Sequence, residues 1–450
     1  MSNPASSNAH EPVSIGKIAF ASAVGATIEW YDFFLYGVVT ALVFNKLFFP
    51  SYDPLVGTLL AYTTFAVGFV ARPVGGVIFG HFGDRIGRKT ILVLTLLIMG
   101  LATFFIGLLP TYDSIGIWAP ILLLFLRVMQ GIGIGGEWGG AVLMAVEHSP
   151  KGRRGFYGSW PQIGVPAGLM LSAGVVALLS NLTDEQFLAW GWRVAFLLSG
   201  LLVAVGLYIR VKIIETPDFQ KVKESKSEAA VPFVELLTTH PKNVLLGMGA
   251  RYIEGVCFNI FGVFIITYVT TTLQLPRSTA LMGVIIASAI MIVMVPLYGM
   301  LSDRIGRRTI YCCGAAAIGI LVFPSFWLMN TYREAAWVWF AIVLPFSFAY
   351  PAVYGPQAAL FSELFSPRVR YTGISFVYQF SGIFASGLTP LIATALLGYG
   401  NGQPWWICAY VAVVAAISFL SVMAMRFHHT DPTPDARPAP SGRLGTAMPK

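Results

Sequence analysis

Long apolar stretches separated by short polar ones run the length of the chain. About twelve of them recur, each of roughly 20 residues, long enough to cross a hydrocarbon core of about 30 Å at about 1.5 Å per helical residue. Their apolar residues do not alternate with polar ones, as membrane strands of about ten residues would require, so the pattern predicts helices rather than a barrel. The polar breaks divide the chain into a tail (1–16), a six-helix bundle (17–210), a linker rich in Lys, Glu and Ser (211–242), a second six-helix bundle (243–427) and a second tail (428–450). Both tails lack the apolar residues to fold alone and are expected to be disordered, and the linker to carry some surface helix. The expected fold is an all-α membrane protein of twelve transmembrane helices in two halves.

An internal repeat supports the two halves. Gly80-His81-Phe82-Gly83-Asp84-Arg85-Ile86-Gly87-Arg88-Lys89 lies between two spans, and Gly299-Met300-Leu301-Ser302-Asp303-Arg304-Ile305-Gly306-Arg307-Arg308 matches its Gly, Asp, Arg and basic positions roughly 220 residues later. A second pair has nearly the same offset: Glu147 with Arg154, and Glu363 with Arg370. In each turn the aspartate, Asp84 or Asp303, is expected to lead the next helix, cap its free amides and meet basic residues across the boundary between halves.

Composition agrees with the pattern. The chain is 56% hydrophobic and 11% charged, against roughly 25% charged in soluble domains. Its formal charge of +8 could suggest nucleic acid, but most Lys and Arg mass on one predicted face and only Lys46, Arg277 and Arg333 lie opposite. The positive-inside rule then places both termini and the repeated turn in the cytoplasm and excludes a nucleic-acid partner. No signal peptide is visible.

The enzyme classes fall away. Most histidines sit in loops or tails, no Ser or Cys is paired with a base, and Cys257, Cys312, Cys313 and Cys408 lie in apolar helices without metal spacing, as core residues. We expect no enzyme activity, cofactor or metal. Gly131-Ile-Gly133-Ile-Gly135-Gly136 spells a dinucleotide fingerprint, yet no strand precedes it; small residues that let helices approach closely explain it better. Asn181-Leu182-Thr183 fits a glycosylation pattern that arises often by chance.

The candidate chemistry is the charge inside the spans. A charged side chain at the bilayer centre costs about 2.5 to 3.5 kcal/mol on insertion scales, and usually faces a bundle interior or a water-filled path. Glu29 and Asp32 share a face of the first helix. Counted from the outer ends, Asp32 and Arg127 lie about 17 and 15 Å deep, level enough to pair. A carboxylate shielded from water takes a proton readily, and a neighbouring arginine holds it ionised until something displaces it. Asp32, with Glu29 and Glu137 as alternatives, is the candidate proton carrier. Arg127, Arg72, Arg251 and Glu254 are candidate substrate contacts, with a structural ion pair about as plausible for the last three. Trp30, Tyr31, Tyr36, Trp138, Trp160, Tyr252 and Phe258 could line a cavity, and of these Tyr31, Tyr36 and Trp160 are the selected candidates. In the mechanism these residues suggest, Asp32 sits in the guanidinium fork of Arg127 until a proton releases it and a substrate carboxylate takes its place.

The repeated turn resembles the loop motif of the major facilitator superfamily, and with twelve spans the resemblance covers nearly the whole chain. Glu29 through Gly37, Arg72-Pro73, Arg127 through Glu137, and Ser362-Glu363-Leu364-Phe365 with Arg368 and Arg370 resemble more narrowly its metabolite:proton symporter family. That resemblance implies a bacterial inner-membrane protein taking up small carboxylates, shikimate-like acids, or zwitterions such as proline and betaine, with protons. It also implies that Gly80, Asp84, Arg85, Gly87 and Arg88, with Asp303, Arg304, Gly306 and Arg307 and the pairs Glu147–Arg154 and Glu363–Arg370, form the gating motif that latches the cytoplasmic side in one state. We expect a monomer surrounded by lipid that imports a small mono- or dicarboxylate; a zwitterion importer, an exporter or a transport-dead sensor remain alternatives on the same fold.

Overall fold

The computed structural model describes residues 15–50, 53–86, 88–135, 142, 145–146, 149–150, 152–212, 232–365 and 370–425. Among the described residues every regular element is helical. Ten helices are long and apolar enough to cross a membrane: α1 (Ala23–Leu47), α2 (Pro54–Phe79), α5 (Arg154–Leu179), α6 (Asp184–Tyr208), α7 (Pro241–Thr272), α8 (Arg277–Ile305), α9 (Arg307–Tyr332), α10 (Ala335–Ser362), α11 (Thr372–Tyr399) and α12 (Trp405–Ala424). Two shorter apolar helices, α3 (Val93–Leu108) and α4 (Trp118–Ile134), complete the twelve. A short helix, Pro232–Thr239, packs beside the start of α11 within the stretch read as linker.

Prolines and glycines shape these helices. Pro161 has no N–H to donate, and α5 is locally wound as a 3₁₀ turn over Pro161–Ile163. At Pro345, α10 loosens into a π-helical turn over Leu344–Ala349. The glycine run of α4 does what close packing requires: a Cβ on Gly131 would strike the Gly68 carbonyl, and one on Gly135 the Arg72 carbonyl, so α2 and α4 touch backbone to backbone. Thr183, the last residue of the glycosylation-like tripeptide, caps the start of α6 by accepting from the Gln186 amide at 3.3 Å. Cys257, Cys312 and Cys408 are buried as expected, whereas Cys313 is exposed.

The halves meet along two equivalent seams, α5 against α8 and α2 against α11, which exchange under the repeat. At the turn end Asp303 departs from expectation. It belongs to the last turn of α8, and the break falls at Gly306, whose φ of 110° suits only glycine. Its carboxylate does not cap its own following helix; it accepts from the Gly155 and Phe156 amides at 2.8 and 3.0 Å, capping α5 of the other half. At the opposite end Arg277 donates to Asp184 at 2.7 Å and to the Ser180 and Leu182 carbonyls at 3.2 Å, again across the halves. Both ends of the seam are therefore closed.

Candidate functional site

The α1 helix turns 3.6 residues at a time, so Trp30 and Phe34 share one face and Asp32, two residues from each, points to the other. The first face meets the opposite half. Trp30, Phe34, Phe69, Arg72 and Val165 from one half, with Arg251, Glu254, Phe258, Asn259, Tyr378 and Ser386 from the other, enclose a cavity of about 20 Å³ on the seam. That is room for ordered water and far too little for an organic substrate, which fits a closed state in which the halves have come together. Of the sequence-predicted contacts, Arg72, Arg251 and Glu254 stand here together.

Charge is handled differently on the two walls. Arg251 pairs with Glu254 at 3.1 Å, and Tyr350 donates to the Glu254 carboxylate at 3.2 Å. Arg72, 2% exposed, forms no ion pair within 4 Å among the described residues, although the Glu254 carboxylate is near enough to act on it electrostatically: its guanidinium lies 4.1 Å from the Phe33 ring centroid, 4.2 Å from Phe69 and 5.2 Å from Trp30, and its Nε and Nη2 have no hydrogen-bond partner. Ring faces attract a cation but leave its N–H groups unsatisfied. A guanidinium so held keeps N–H groups free to meet an acceptor.

The other face of α1 turns into its own bundle. Tyr31 donates to the Ala195 carbonyl at 2.7 Å, and the buried Asp32 accepts from Ser199, both on α6. Asp32 Oδ2 has no partner and faces Gly100. The expected Asp32–Arg127 pair does not form. Arg127 donates to Gln130 at 2.9 Å and to the Phe65 carbonyl at 3.4 Å, and rests on the Phe33 and Tyr36 rings at 4.1 and 4.2 Å. Gln130 in turn donates to Thr103 at 2.7 Å; the Thr103 hydroxyl lies near Asp32 but donates to the Met99 carbonyl. Equal depth along two helix axes does not bring two side chains together, because each also has a direction around its axis. Two side chains, Gln130 and Thr103, stand between them.

Phe33 links the two arginines. Its ring lies against the guanidiniums of both Arg72 and Arg127, each 4.1 Å from its centroid, and its neighbour in the chain is Asp32. A route thus runs from the cavity through Arg72, Phe33, Arg127, Gln130 and Thr103 to the buried carboxylate. Asp32 and Arg127 do not themselves line the cavity.

The remaining candidates are placed as follows. Tyr36 donates to Thr64 at 2.6 Å away from the cavity, and Trp160 packs on Phe156 at the α5 break; the selected rings are thus not the lining ones, which are Trp30, Phe34, Phe69, Phe258 and Tyr378. Glu29 is buried on α1. Glu137, Trp138, Glu147 and Gly87 lie outside the described residues, as do the side chains of the first turn from Gly80 through Arg88. In the second turn Arg304 is exposed, while Arg307 pairs with Glu363 and approaches Asp303 at 3.4 Å, tying the two repeated motifs into one cluster. Arg370 donates to the Phe365 carbonyl at 3.4 Å, and Arg154 opens α5 beside the amides that Asp303 caps.

Sequence reasoning missed Phe34, Phe69, Asn259, Tyr378 and Ser386. A signal existed for one of them: Arg251, Glu254, Phe258 and Asn259 follow the i, i+3, i+7, i+8 spacing of one helical face. Tyr378 and Ser386 carry no comparable mark.

The comparisons agree with this architecture. The family model described as Major Facilitator Superfamily matches residues 24–387. The shikimate transporter of Escherichia coli (strain K12) is 40% identical over 413 residues, covering 91% of this chain and 94% of that protein. The glycine betaine/proline/ectoine/pipecolic acid transporter OusA of Dickeya dadantii (strain 3937) is 39% identical over 439 residues, covering 94% and 86%. Among solved structures, a D-xylose–proton symporter superposes with a TM-score of 0.70 at 18% identity, covering 91% of this chain and 96% of that one.

Proposed function

The chain belongs to the major facilitator superfamily, as a membrane transporter of small solutes and not an enzyme, and we propose that it imports a small organic monoanion together with a proton. The observation that carries this reading is a balance of buried charge. Among the described residues the buried ionisable acids and bases are Glu29, Asp32 and Glu254 against Arg72, Arg127 and Arg251. With Asp32 ionised, the formal charges cancel. A proton on Asp32 leaves one positive charge in excess within a low-dielectric interior, and a carboxylate on Arg72 restores neutrality. Proton and anion thus favour each other's binding without touching, and reciprocity requires each to strengthen the other equally.

This replaces direct competition for the Arg127 fork with coupling at a distance, through the Arg72–Phe33–Arg127 stack. Alternating access follows from the seam: contacts at both ends close it, and those of Asp303 at one end and Arg277 at the other open in turn. Basic residues massed at the turn end support a cytoplasmic turn and termini in the bacterial inner membrane.

A second reading has an observation in its favour. The rings of Trp30, Phe34 and Phe258 beside Glu254 suit a quaternary ammonium, as in a betaine. Uptake into proteoliposomes separates the two. A monoanion with one proton is electroneutral, so a pH gradient should drive accumulation and an imposed membrane potential at constant pH should not. A zwitterion with one proton carries net charge, and accumulation driven by the potential alone would reject the anion.

A further inference from the structure

Two hydrogen bonds cross between the halves at places that the repeat makes equivalent. Gln162, in the 3₁₀ turn of α5, donates through Nε2 to the Gly355 carbonyl on α10 at 3.4 Å. Gln379 on α11 donates through Nε2 to the carbonyl of Gly135, the residue that ends α4, at 2.9 Å. Gln162 and Gln379, like Gly135 and Gly355, stand roughly 220 residues apart, the interval of the repeated turn. The fifth helix of each half thus reaches the fourth helix of the other. Both glutamines are buried. Each glycine also lets its helix close on the second helix of its own half: a Cβ on Gly135 would strike the Arg72 carbonyl of α2, and one on Gly355 the Val295 carbonyl of α8.

These bonds border the cavity on one side only. Both glutamines lie about two turns from the turn end of their helices. Gln162 is one helical turn nearer that end than the lining Val165, and Gly135 packs against the backbone of the lining Arg72. Toward the opposite end other groups join the halves, Arg277 with Asp184 and Tyr62 with Thr267, the latter pair hydrogen-bonded at 2.7 Å. A neutral amide suits a contact that must break in every cycle. Its hydrogen bond shifts an equilibrium by about two- to tenfold, and water takes over both groups when the halves part. Neither glutamine Oε1 accepts a hydrogen bond, so the donor is what holds each amide in place. We infer that Gln162 and Gln379 form a twofold clasp that holds the turn end of the cavity shut and leaves the outer end to other contacts. The two arms are unequal: Gln162 shares its amide with the Gly158 carbonyl of its own helix, also at 3.4 Å, so the Gln379 arm carries most of the closure. The inference rests on the alternating closure of the seam proposed above, and not on what is carried.

The test reads the distance between the halves at each end, by double electron–electron resonance between nitroxide labels on substrate-free protein in lipid nanodiscs. One pair, Arg153→Cys with Lys242→Cys, spans the turn end; the other, Glu185→Cys with Glu334→Cys, spans the outer end. All four positions are exposed, and the exposed Cys313 is replaced by serine throughout. Gln379→Met keeps the length of the side chain and removes the amide, so the ratio of short to long distances at the turn end should fall by about two- to tenfold. Gln162→Met should lower it less, and the double variant more than either. The outer pair should keep its distances. Equal widening at both ends would mean loosened packing and overturn the clasp, as would an unchanged turn-end ratio in both single variants. Asp303→Asn separates that failure from a failure of the seam. If it widens the turn end while neither glutamine variant does, the clasp alone falls; if it too leaves the distances unchanged, the alternating closure falls as well.

Discussion

The two halves descend from one repeated pattern, yet they treat buried charge in opposite ways. In the second half Arg251 and Glu254 sit one helical turn apart on α7 and neutralise each other locally. In the first half Arg72 and Arg127 rest on aromatic rings, and Asp32 is held by Ser199 on another helix. A local pair is satisfied whatever else binds. Separated charges are satisfied only as a set, so a proton arriving at one changes what the others require. The difference is the ground on which we propose that coupling belongs to the first half.

The largest expected effect is that of Asp32→Asn, which fixes the first half in its proton-loaded charge state. Accumulation against a gradient should be abolished while exchange of labelled for unlabelled substrate persists in part. Retained accumulation with proton uptake would move the proton to Glu29 or Glu137. Next comes the anion anchor: Arg72→Gln should weaken substrate binding by about a hundredfold, as loss of a charge-assisted pair of about 2 to 3 kcal/mol implies, and Arg72→Lys should recover only part because an ammonium lacks the planar fork. Binding isotherms of purified protein check both.

The stack between the arginines predicts a subtler loss. Phe33→Leu keeps an apolar side chain but removes the aromatic ring that both guanidiniums contact, an interaction worth about 1 to 2 kcal/mol when desolvated. Substrate affinity should then depend several-fold less on pH, whereas Phe33→Tyr should keep the dependence; an unchanged pH profile in the leucine variant would exclude the stack as the link. The smallest effect on coupling belongs to the second half, although its stability is at stake. Arg251→Gln alone leaves Glu254 buried without its cation and should cost about 3 to 5 kcal/mol of stability. The double variant Arg251→Gln, Glu254→Gln should recover most of it and still couple proton to substrate. Loss of coupling in a stable double variant would erase the distinction between the halves.

The features legible in the sequence were those with a cost independent of neighbours. Apolar length specified twelve helices because backbone groups in lipid must bond within the segment. The repeat announced two halves, and intramembrane charge marked Asp32, Arg72, Arg127, Arg251 and Glu254 because such residues are expensive wherever they point. Depth was legible too, since rise per residue is constant. Direction was not. The sequence carries the angle between Trp30 and Asp32 on α1, but not which of the two faces the other half. That depends on where glycines such as Gly131 and Gly135 let α2 and α4 close up, and on which helices then fill the space around α1. Tertiary packing therefore decided that Asp32 bonds Ser199 instead of Arg127, that Arg72 stands in the cavity, and that Asp303 caps a helix of the opposite half. Each of these is a contact between side chains and backbone far apart in the chain, whose free energy exists only once the helices have been brought together.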